Sequence, residues 1–243
     1  MKKQLKKMLF HLGYELKAIN KHFLNKKTGT YEGGLYRPLY SPWFGEPQFL
    51  SHYAKGAART LVSPARCFIL YKTLLQSLSK EGSVIECGVY KGGTAALLAS
   101  AITDAGATKK FYLFDTFDGM PETDTVRDLH KKGDFSDTSL KSVKEFVGYP
   151  KIVEFRKGFL PQTFEGLENE KFCFAHIDVD IYKSIWDALI FIWPRMVAGG
   201  FVIFDDYGFP SCPGAREAVD EFFAQQTSIP ICLPTGQAIV IKA

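Results

Sequence analysis

The sequence predicts an α/β domain built on a mostly parallel sheet of seven strands, with helices on both faces of the sheet. Apolar segments of strand length alternate with longer segments of helical periodicity from residue 63 onward. Most of the strand-like segments are apolar throughout, which is typical of parallel strands covered on both faces. A length of 243 residues, 46% of them hydrophobic, suits one such domain with additional elements.

The chain begins with a basic amphipathic segment, in which residues 1–27 contain eight lysines and one glutamate. Apolar residues at helical spacing between the lysines predict a helix. They are Leu5, Met8, Leu9, Leu12, Leu16, Ile19 and Phe23. We favour packing of this helix on its own domain or on a second copy in a homo-oligomer, and the alternative is a helix lying on an anionic membrane surface. No nucleic-acid-binding motif accompanies the charge, so we expect no nucleic acid partner.

Residues 28–62 are rich in glycine, proline and aromatic residues, which predicts irregular structure that serves as a lid or an oligomer contact. We therefore divide the chain into residues 1–56, the basic helix with its irregular segment, and residues 57–243, the α/β domain. Ser63 and Pro64 predict the start of the first helix of that domain, as an N-cap followed by proline at the first helical position.

The remaining elements follow from periodicity and from glycine and proline boundaries. The predicted helices span residues 64–80, 92–106, 142–148, 182–197 and 214–226. The predicted strands span residues 83–87, 110–115, 151–155, 171–178 and 199–206, and a final hairpin is formed by residues 230–235 and 237–243. Pro194 is expected to kink or close the last turn of its helix.

Several classes of protein are disfavoured by composition. No apolar run reaches the 18 residues of a membrane span, and the N-terminus lacks the apolar region of a signal peptide. The five cysteines are scattered, which favours reduced core thiols over a disulfide framework. We expect a cytoplasmic protein, with the inner membrane surface as the alternative if the basic helix binds lipid.

A glycine-rich turn follows the first predicted strand, where ligands bind in parallel sheets. Its spacing, G-x-x-x-G-G at Gly88, Gly92 and Gly93, differs from the G-x-G-x-x-G of dinucleotide folds and disfavours a NAD-dependent oxidoreductase. Glu86 before the glycines suits an amino group of a ligand, and Asp115 at the end of the second strand suits a ribose. A nucleoside with an amino group and no pyrophosphate fits, and S-adenosylmethionine (SAM) is such a ligand.

Four acids lie at the ends of the fourth and fifth predicted strands: Asp178 and Asp180, then Asp205 and Asp206. Carboxylates beside an apolar core are costly unless a positive charge lies between them. Oxygen ligands of this kind suit a hard dication such as Mg²⁺. His176 is interpreted as a core histidine behind this set. Arg66 could reach a carboxylate, although a surface ion pair is the favoured role.

Five motifs together resemble the macrocin O-methyltransferase family: VIECGVYKGGTAALLA, FDTFDGMPE, RKGFLPQTF, HIDVDIYKSIWDALIFIWPRMVAGGFVIFDDYG and GAREAVDEFF. They occur in order and cover residues 57–242. The resemblance implies a Rossmann-like class I SAM methyltransferase fold. It also implies an enzyme that uses SAM and a metal to methylate sugar hydroxyls, like the mycinamicin and novobiocin pathway enzymes.

The resemblance also implies roles for individual residues. Asp178, Asp205 and Asp206 would hold Mg²⁺ together with hydroxyls of the acceptor. Asp180 is then left as the candidate general base, although Asp178 and Asp180 could exchange roles. The implied SAM-binding residues are Glu86, Gly88, Gly92, Gly93, Thr94, Asp115 and Asp178.

Two further functions stay open at this point. The acceptor could be a catechol or another non-sugar diol, since the same metal chemistry would serve it. The chain could also be a SAM-binding domain without catalysis, but four costly carboxylates speak against that. The acceptor itself, a small molecule or a glycan, is not specified by the motifs.

Overall fold

The computed structural model describes Leu9 and residues 40–243. The predicted basic helix over residues 1–27 and its membrane and oligomer contacts therefore lie outside the described residues. The compact unit formed by the described part is Ser41–Ala243.

Within residues 40–243, seven strands form one sheet, as the sequence predicts. They are β1 (Ser83–Cys87), β2 (Phe111–Asp115), β3 (Val153–Lys157), β4 (Phe172–Ile177), β5 (Met196–Phe204), β6 (Ile231–Cys232) and β7 (Ala238–Ile241). Their order across the sheet is β3-β2-β1-β4-β5-β7-β6. The first five strands in that order are parallel, and β7 pairs antiparallel with both β5 and β6. The strand order reverses between β1 and β4, and that switch point is where open α/β sheets bind ligands.

The principal helices of the described residues cover both faces of the sheet. They are α1 (Pro47–Gly56), α2 (Pro64–Ser77), α3 (Gly93–Asp104), α4 (Leu140–Val147), α5 (Tyr182–Ile192) and α6 (Pro213–Phe223). One apolar core joins α5 and α6 to side chains such as Ile85 and Cys87 of β1. A second core lies on the opposite face of the sheet. It joins the four helices from α1 through α4 to Val84, the neighbour of Ile85 on β1. Strand side chains alternate between the faces, so one strand supplies both cores.

The prediction of irregular structure over residues 28–62 is wrong for residues 47–56, which form α1. Pro47 occupies the first helical position, where its missing N–H costs nothing. Phe49 is completely buried in the core beneath α2 and α3. At the other end, a Cβ on Gly56 would lie 1.9 Å from the carbonyl oxygen of Gly93, so α1 packs directly against the start of α3. Tertiary packing thus stabilises a helix whose composition resembles that of a loop.

Two smaller expectations are also confirmed. Pro194 ends its helix, because α5 stops at Ile192 and a 3₁₀ turn follows over Trp193–Arg195. All five cysteines are free thiols, and four of them are buried as expected, whereas Cys232 is exposed. Across residues 40–243, no helix is both long enough and apolar enough to span a lipid bilayer.

Candidate functional site

A cleft of about 930 Å³ opens at the carboxyl ends of the parallel strands. Its walls are the segments that follow β1, β2, β3, β4 and β5, together with the loop that contains residues 130–135. This one cleft is lined by the four acids that follow β4 and β5, which are Asp178, Asp180, Asp205 and Asp206. It is also lined by Gly88, Gly93, Thr94 and Asp115. The structure therefore brings most of the predicted site residues together at the switch point of the sheet.

The glycine turn after β1 is tight because the two central strands approach closely there. Gly88 has φ +89°, and a Cβ at this position would lie 1.7 Å from the backbone oxygen of Asp178. Gly92, with φ +85°, is the N-cap of α3, and a Cβ on Gly93 would lie 2.4 Å from the amide nitrogen of Thr60. Positive φ and lack of space both require glycine at position 88.

Asp115 holds this turn in place from the end of β2. Its Oδ2 accepts hydrogen bonds from the amides of Val89 and Tyr90, both at 2.8 Å, and its Oδ1 accepts one from Phe117 at 2.6 Å. These bonds fix the loop geometry. Binding of a ribose by Asp115 stays a prediction, and the carboxylate would have to serve the loop and the ligand together.

Glu86 lies beneath the glycine turn and does not line the cleft. It is completely buried, and its Oε1 is 2.8 Å from Nδ1 of His176 on β4. Within the described residues, its Oε2 has no hydrogen-bond partner. Binding of the SAM amino group by Glu86 thus stays a prediction, to which this geometry gives no direct contact. His176 is buried, as interpreted from the sequence, but in the part of the chain that the structure describes its Nε2 has no hydrogen-bond partner and lies 3.7 Å from Oδ1 of Asp205.

Three of the four acids share a region of unfavourable negative charge. Oδ2 of Asp206 accepts a hydrogen bond from the amide of Asp180 at 3.2 Å, and the negative charges of Asp206 and Asp180 both act on Asp178. Burial, followed by the charge of Asp206, raises the pKa of Asp180 to about 8. Burial, followed by the charges of Asp206 and Asp180, raises the pKa of Asp178 well above its usual range. Burial also raises the pKa of Asp206.

Asp205 differs from the other three because it is already neutralised. Its carboxylate is completely buried and forms an ion pair with Nη1 of Arg66, while Nε2 of Gln237 donates to its Oδ1 at 2.8 Å. The Arg66 side chain is only 11% exposed and its guanidinium lies 4.7 Å from the ring centre of Phe209. The expectation of a surface ion pair for Arg66 is therefore wrong, because α2 packs over the end of β5 and carries Arg66 into the site.

The donor set fits a hard dication. All the atoms of this predicted ligand set are carboxylate oxygens, and the raised pKa of Asp178, to which the charges of Asp206 and Asp180 contribute, marks a place where a positive charge would relieve repulsion. Asp205 also lines the cleft, and the positive charge of Arg66 balances the negative charge of its carboxylate. The ligand set Asp178, Asp205 and Asp206 stays a prediction.

Other cleft residues are not evident from the sequence. His130 and Asp134 come from the segment between β2 and α4, and Cys212 immediately precedes α6. His130 and Cys212 lie beside Asp180, whose backbone is left-handed with φ +56°, and Asp134 contacts His130. The segment that carries His130 and Asp134 has no periodic pattern, so the spacing of its polar residues gives no signal. Cys212 resembles one more core thiol when it is read from composition alone.

Comparison with known proteins agrees with this geometry. Residues 57–233 match the family described as macrocin-O-methyltransferase (TylF). The chain belongs to the macrocin O-methyltransferase family. The family is one of SAM-dependent O-methyltransferases, and this chain is an enzyme of that kind.

Two relatives in this family illustrate the range of similarity. The 8-demethyl-8-(2,3-dimethoxy-alpha-L-rhamnosyl)-tetracenomycin-C 4'-O-methyltransferase of Streptomyces olivaceus is 29% identical over 191 residues, which cover 73% of this chain and 72% of the relative. The mycinamicin III 3''-O-methyltransferase of Micromonospora griseorubida is 33% identical over 156 residues, which cover 58% of this chain and 60% of the relative.

Solved structures support the fold of this macrocin O-methyltransferase family member. The O-methyltransferase NovP superposes with a TM-score of 0.66 at 22% identity, over 79% of this chain and 88% of NovP. The calicheamicin methyltransferase CalS11 gives a TM-score of 0.64 at 18% identity, over 87% of this chain and 99% of CalS11. The class I methyltransferase fold implied by the sequence motifs is thereby confirmed.

Proposed function

We propose that this chain transfers the methyl group of SAM to a hydroxyl of a sugar, with Mg²⁺ bound at the acids that follow β4 and β5. The observation that carries the proposal is the group Asp178, Asp180 and Asp206, whose raised pKa values mark an unbalanced negative charge beside the glycine turn. The name of the Streptomyces olivaceus relative, which includes a rhamnosyl group, supports a sugar as the acceptor.

The glycine turn and the end of β2 would hold SAM. A side chain at Gly88 would fill the space between β1 and β4, and Thr94 stands in the first turn of α3 on the cleft wall. Asp115 orients the turn through the amides of Val89 and Tyr90, which keeps the turn open toward the cleft. Glu86 and Gly92 would act on SAM through the shape of the turn, since neither lines the cleft.

Asp178, Asp205 and Asp206 would hold the metal, which when bound makes an acceptor hydroxyl more acidic and fixes its oxygen. Arg66 and Gln237 keep the Asp205 carboxylate in a fixed orientation by contacting its two oxygens. Cys212 donates to Oδ1 of Asp180 at 3.3 Å and so orients the fourth carboxyl group.

Asp180 would accept the proton of the acceptor hydroxyl. A base is most effective when its pKa is near the working pH, and burial already raises the pKa of Asp180 to about 8. Its side chain is 18% exposed and lines the cleft, so an acceptor can reach it. The methyl group then moves to the hydroxyl oxygen as the proton moves to Asp180, and neutral S-adenosylhomocysteine leaves.

The test is transfer of labelled methyl from SAM to a panel of free and nucleotide-linked sugars and to catechols, each with Mg²⁺ and with EDTA. We expect a labelled sugar, with activity abolished by EDTA and restored by Mg²⁺. Preferred labelling of a catechol would replace the sugar with a non-sugar diol. SAM binding in calorimetry without transfer to any acceptor would favour a binding domain, and full transfer in EDTA would exclude the metal requirement.

A further inference from the structure

Three side chains with different donor atoms converge on one face of the cleft. Sγ of Cys212 lies 3.3 Å from Oδ1 of Asp180 and 3.6 Å from Nε2 of His130. The third side of this triangle, from Nε2 of His130 to Oδ1 of Asp180, is 3.7 Å. The residues come from the loop before α4, the turn after β4 and the turn before α6, so the folded chain alone brings them together.

These separations are those of ligands around a tetrahedral zinc ion. Zinc bonds of about 2.3 Å to sulfur and about 2.0–2.2 Å to nitrogen and oxygen place the ligand atoms about 3.4–3.6 Å apart. Each observed side of the triangle is close to that range. A set of one thiolate, one imidazole and one carboxylate suits zinc and other borderline transition metals, whereas Mg²⁺ prefers oxygen alone.

The histidine is also held as zinc-binding histidines usually are. Nδ1 of His130 lies 3.2 Å from Oδ2 of Asp134, so the other ring nitrogen faces Asp180 and Cys212. Asp134 is itself fixed, because its Oδ2 accepts the amide of Lys131 at 2.9 Å. A carboxylate on the second ring nitrogen sets the orientation of a histidine ligand and increases its basicity. This contact is independent of the triangle of donor atoms.

We propose that His130, Asp180 and Cys212 form a binding site for Zn²⁺ or a similar transition-metal ion, with Asp134 as the positioning residue for His130. The site is chemically distinct from the all-oxygen set of Asp178, Asp205 and Asp206. Cys212 binds as a thiolate, so its proton is released to solvent as the metal–sulfur bond forms, and no oxidation or reduction takes place.

The site has a consequence for catalysis, which rests on the proposed function. Asp180 is the proposed general base, and a carboxylate bound to Zn²⁺ cannot accept the proton of the acceptor. Zn²⁺ is therefore an inhibitor that acts beside the Mg²⁺ ligands, and added Mg²⁺ relieves the inhibition poorly because it does not bind a thiolate well.

The binding test uses Co²⁺, a spectroscopic substitute for Zn²⁺, on the full chain. We expect a thiolate-to-cobalt charge-transfer absorption that saturates at one equivalent and is bleached by Zn²⁺. Cys212→Ser should abolish the absorption, and the matched change Cys232→Ser, at an exposed cysteine on β6, should retain it. Asp134→Asn should weaken metal affinity by about 10–100-fold, the usual effect of losing the carboxylate behind a histidine ligand.

His130→Ala is the second variant, because this side chain is 19% exposed and its loss does not empty the core. It should lose Zn²⁺ affinity while keeping the thermal unfolding temperature. No charge-transfer band in the wild-type chain, or an unchanged band in folded Cys212→Ser, would overturn the site.

Inhibition by Zn²⁺ is then measured for each variant relative to its own Mg²⁺-supported rate. We expect Cys212→Ser and His130→Ala to need at least tenfold more Zn²⁺ for half inhibition than Cys232→Ser. Equal sensitivity of all three would overturn the inhibitory role. If Co²⁺ binds as described but no acceptor is methylated, the proposed function fails while the metal site stands.

Discussion

Asp180 illustrates how one residue can carry several constraints. Its backbone has φ +56°, a conformation that aspartate and asparagine tolerate better than most other residues. Its carboxyl group is largely buried, and burial raises its pKa to about 8. Its amide donates to Asp206, so the turn that positions Asp180 also positions a predicted metal ligand.

Replacing Asp180 by asparagine separates these roles. Asn keeps the shape and the left-handed backbone, so we expect Asp180→Asn to retain Mg²⁺ affinity while turnover falls about 10²–10⁴-fold, the usual contribution of a positioned base. Turnover under saturating SAM and a Mg²⁺ titration measure the two effects. Asp104→Asn, the same change at the end of α3, is the control. If Asp180→Asn loses Mg²⁺ while Asp178→Asn retains it, base and ligand are exchanged.

Asp115 is expected to affect SAM binding in two ways, through the glycine turn that it holds and through a hydrogen bond to the ribose. Removing its carboxylate leaves the amides of Val89 and Tyr90 without an acceptor, in addition to any bond to the ribose. We expect Asp115→Ala to weaken SAM binding by about 1–3 kcal/mol in calorimetry, the scale of lost charge-assisted hydrogen bonds. Asp104→Ala, at the end of α3, removes an exposed carboxylate that does not line the cleft and should change SAM affinity by less than about 1 kcal/mol. Unchanged affinity in Asp115→Ala would remove Asp115 from the SAM site.

At the scale of elements, the site depends on how closely β1 and β4 approach. The pair is parallel, with Cys87 opposite Ile177, and the chain then turns at Gly88 on one side and Asp178 on the other. The amide of Asp178 donates to the carbonyl of Cys87 at 2.8 Å, which continues the ladder to the floor of the cleft. The position of the first acid is therefore linked to the glycine turn.

Gly88→Ala tests that linkage. The new Cβ would combine a positive-φ strain of about 1–3 kcal/mol with a clash against the backbone of Asp178. Gly106→Ala is the matched control, since Gly106 also has positive φ but nothing lies within 4 Å of its added Cβ. We expect Gly88→Ala to lower stability more than the control and to lose both SAM and Mg²⁺ binding, as measured by denaturant unfolding and calorimetry. Equal losses in the two variants would mean that the close approach is unimportant.

The sequence predicts the elements better than it predicts the directions of side chains. Parallel strands end at one edge, so the convergence of the acids after β4 and β5 follows from the order of the elements. The sequence does not predict that the Glu86 side chain points into the core. All five residues of β1 are buried, so their pattern does not indicate which face of the sheet a side chain occupies. The buried position of Arg66 depends on how α2 packs across β5, which is a tertiary contact. His130 reaches Asp180 through a loop whose path no periodicity specifies.

At the scale of the whole molecule, the fold places three carboxyl groups with raised pKa values at the centre of one sheet edge. The apolar cores on both faces exclude water from beneath these groups, which is why burial is the largest cause of each shift. The buried acids thus lower the free energy of unfolding of the metal-free protein, and binding of a cation would restore it.

This arrangement predicts how the stability of the metal-free protein depends on pH. In the unfolded chain, aspartates ionise near their ordinary pKa of 3.8, whereas folded Asp180 ionises near 8. Between these values the folded state holds protons that the unfolded state has lost, so the free energy of unfolding falls as pH rises. The contribution of these groups is fully present below about pH 4 and is lost as pH rises toward about 8.

We therefore expect the unfolding temperature in EDTA to be lower at pH 8 than at pH 6, and Mg²⁺ to raise it more at pH 8. A ligand at 100 times its dissociation constant adds about 2.7 kcal/mol, and each kcal/mol shifts the unfolding temperature of a domain this size by about 2–4 °C. Calorimetric scans at the two pH values, with and without Mg²⁺, measure both effects. Asp180→Asn cannot ionise at this position and should show a shallower fall with pH, whereas Asp104→Asn should keep the full fall. The opposite result would be an unfolding temperature that rises from pH 6 to pH 8 in EDTA. It would show that the acids are ionised without a cation, and it would contradict the argument that their repulsion favours a metal ion at this edge of the sheet.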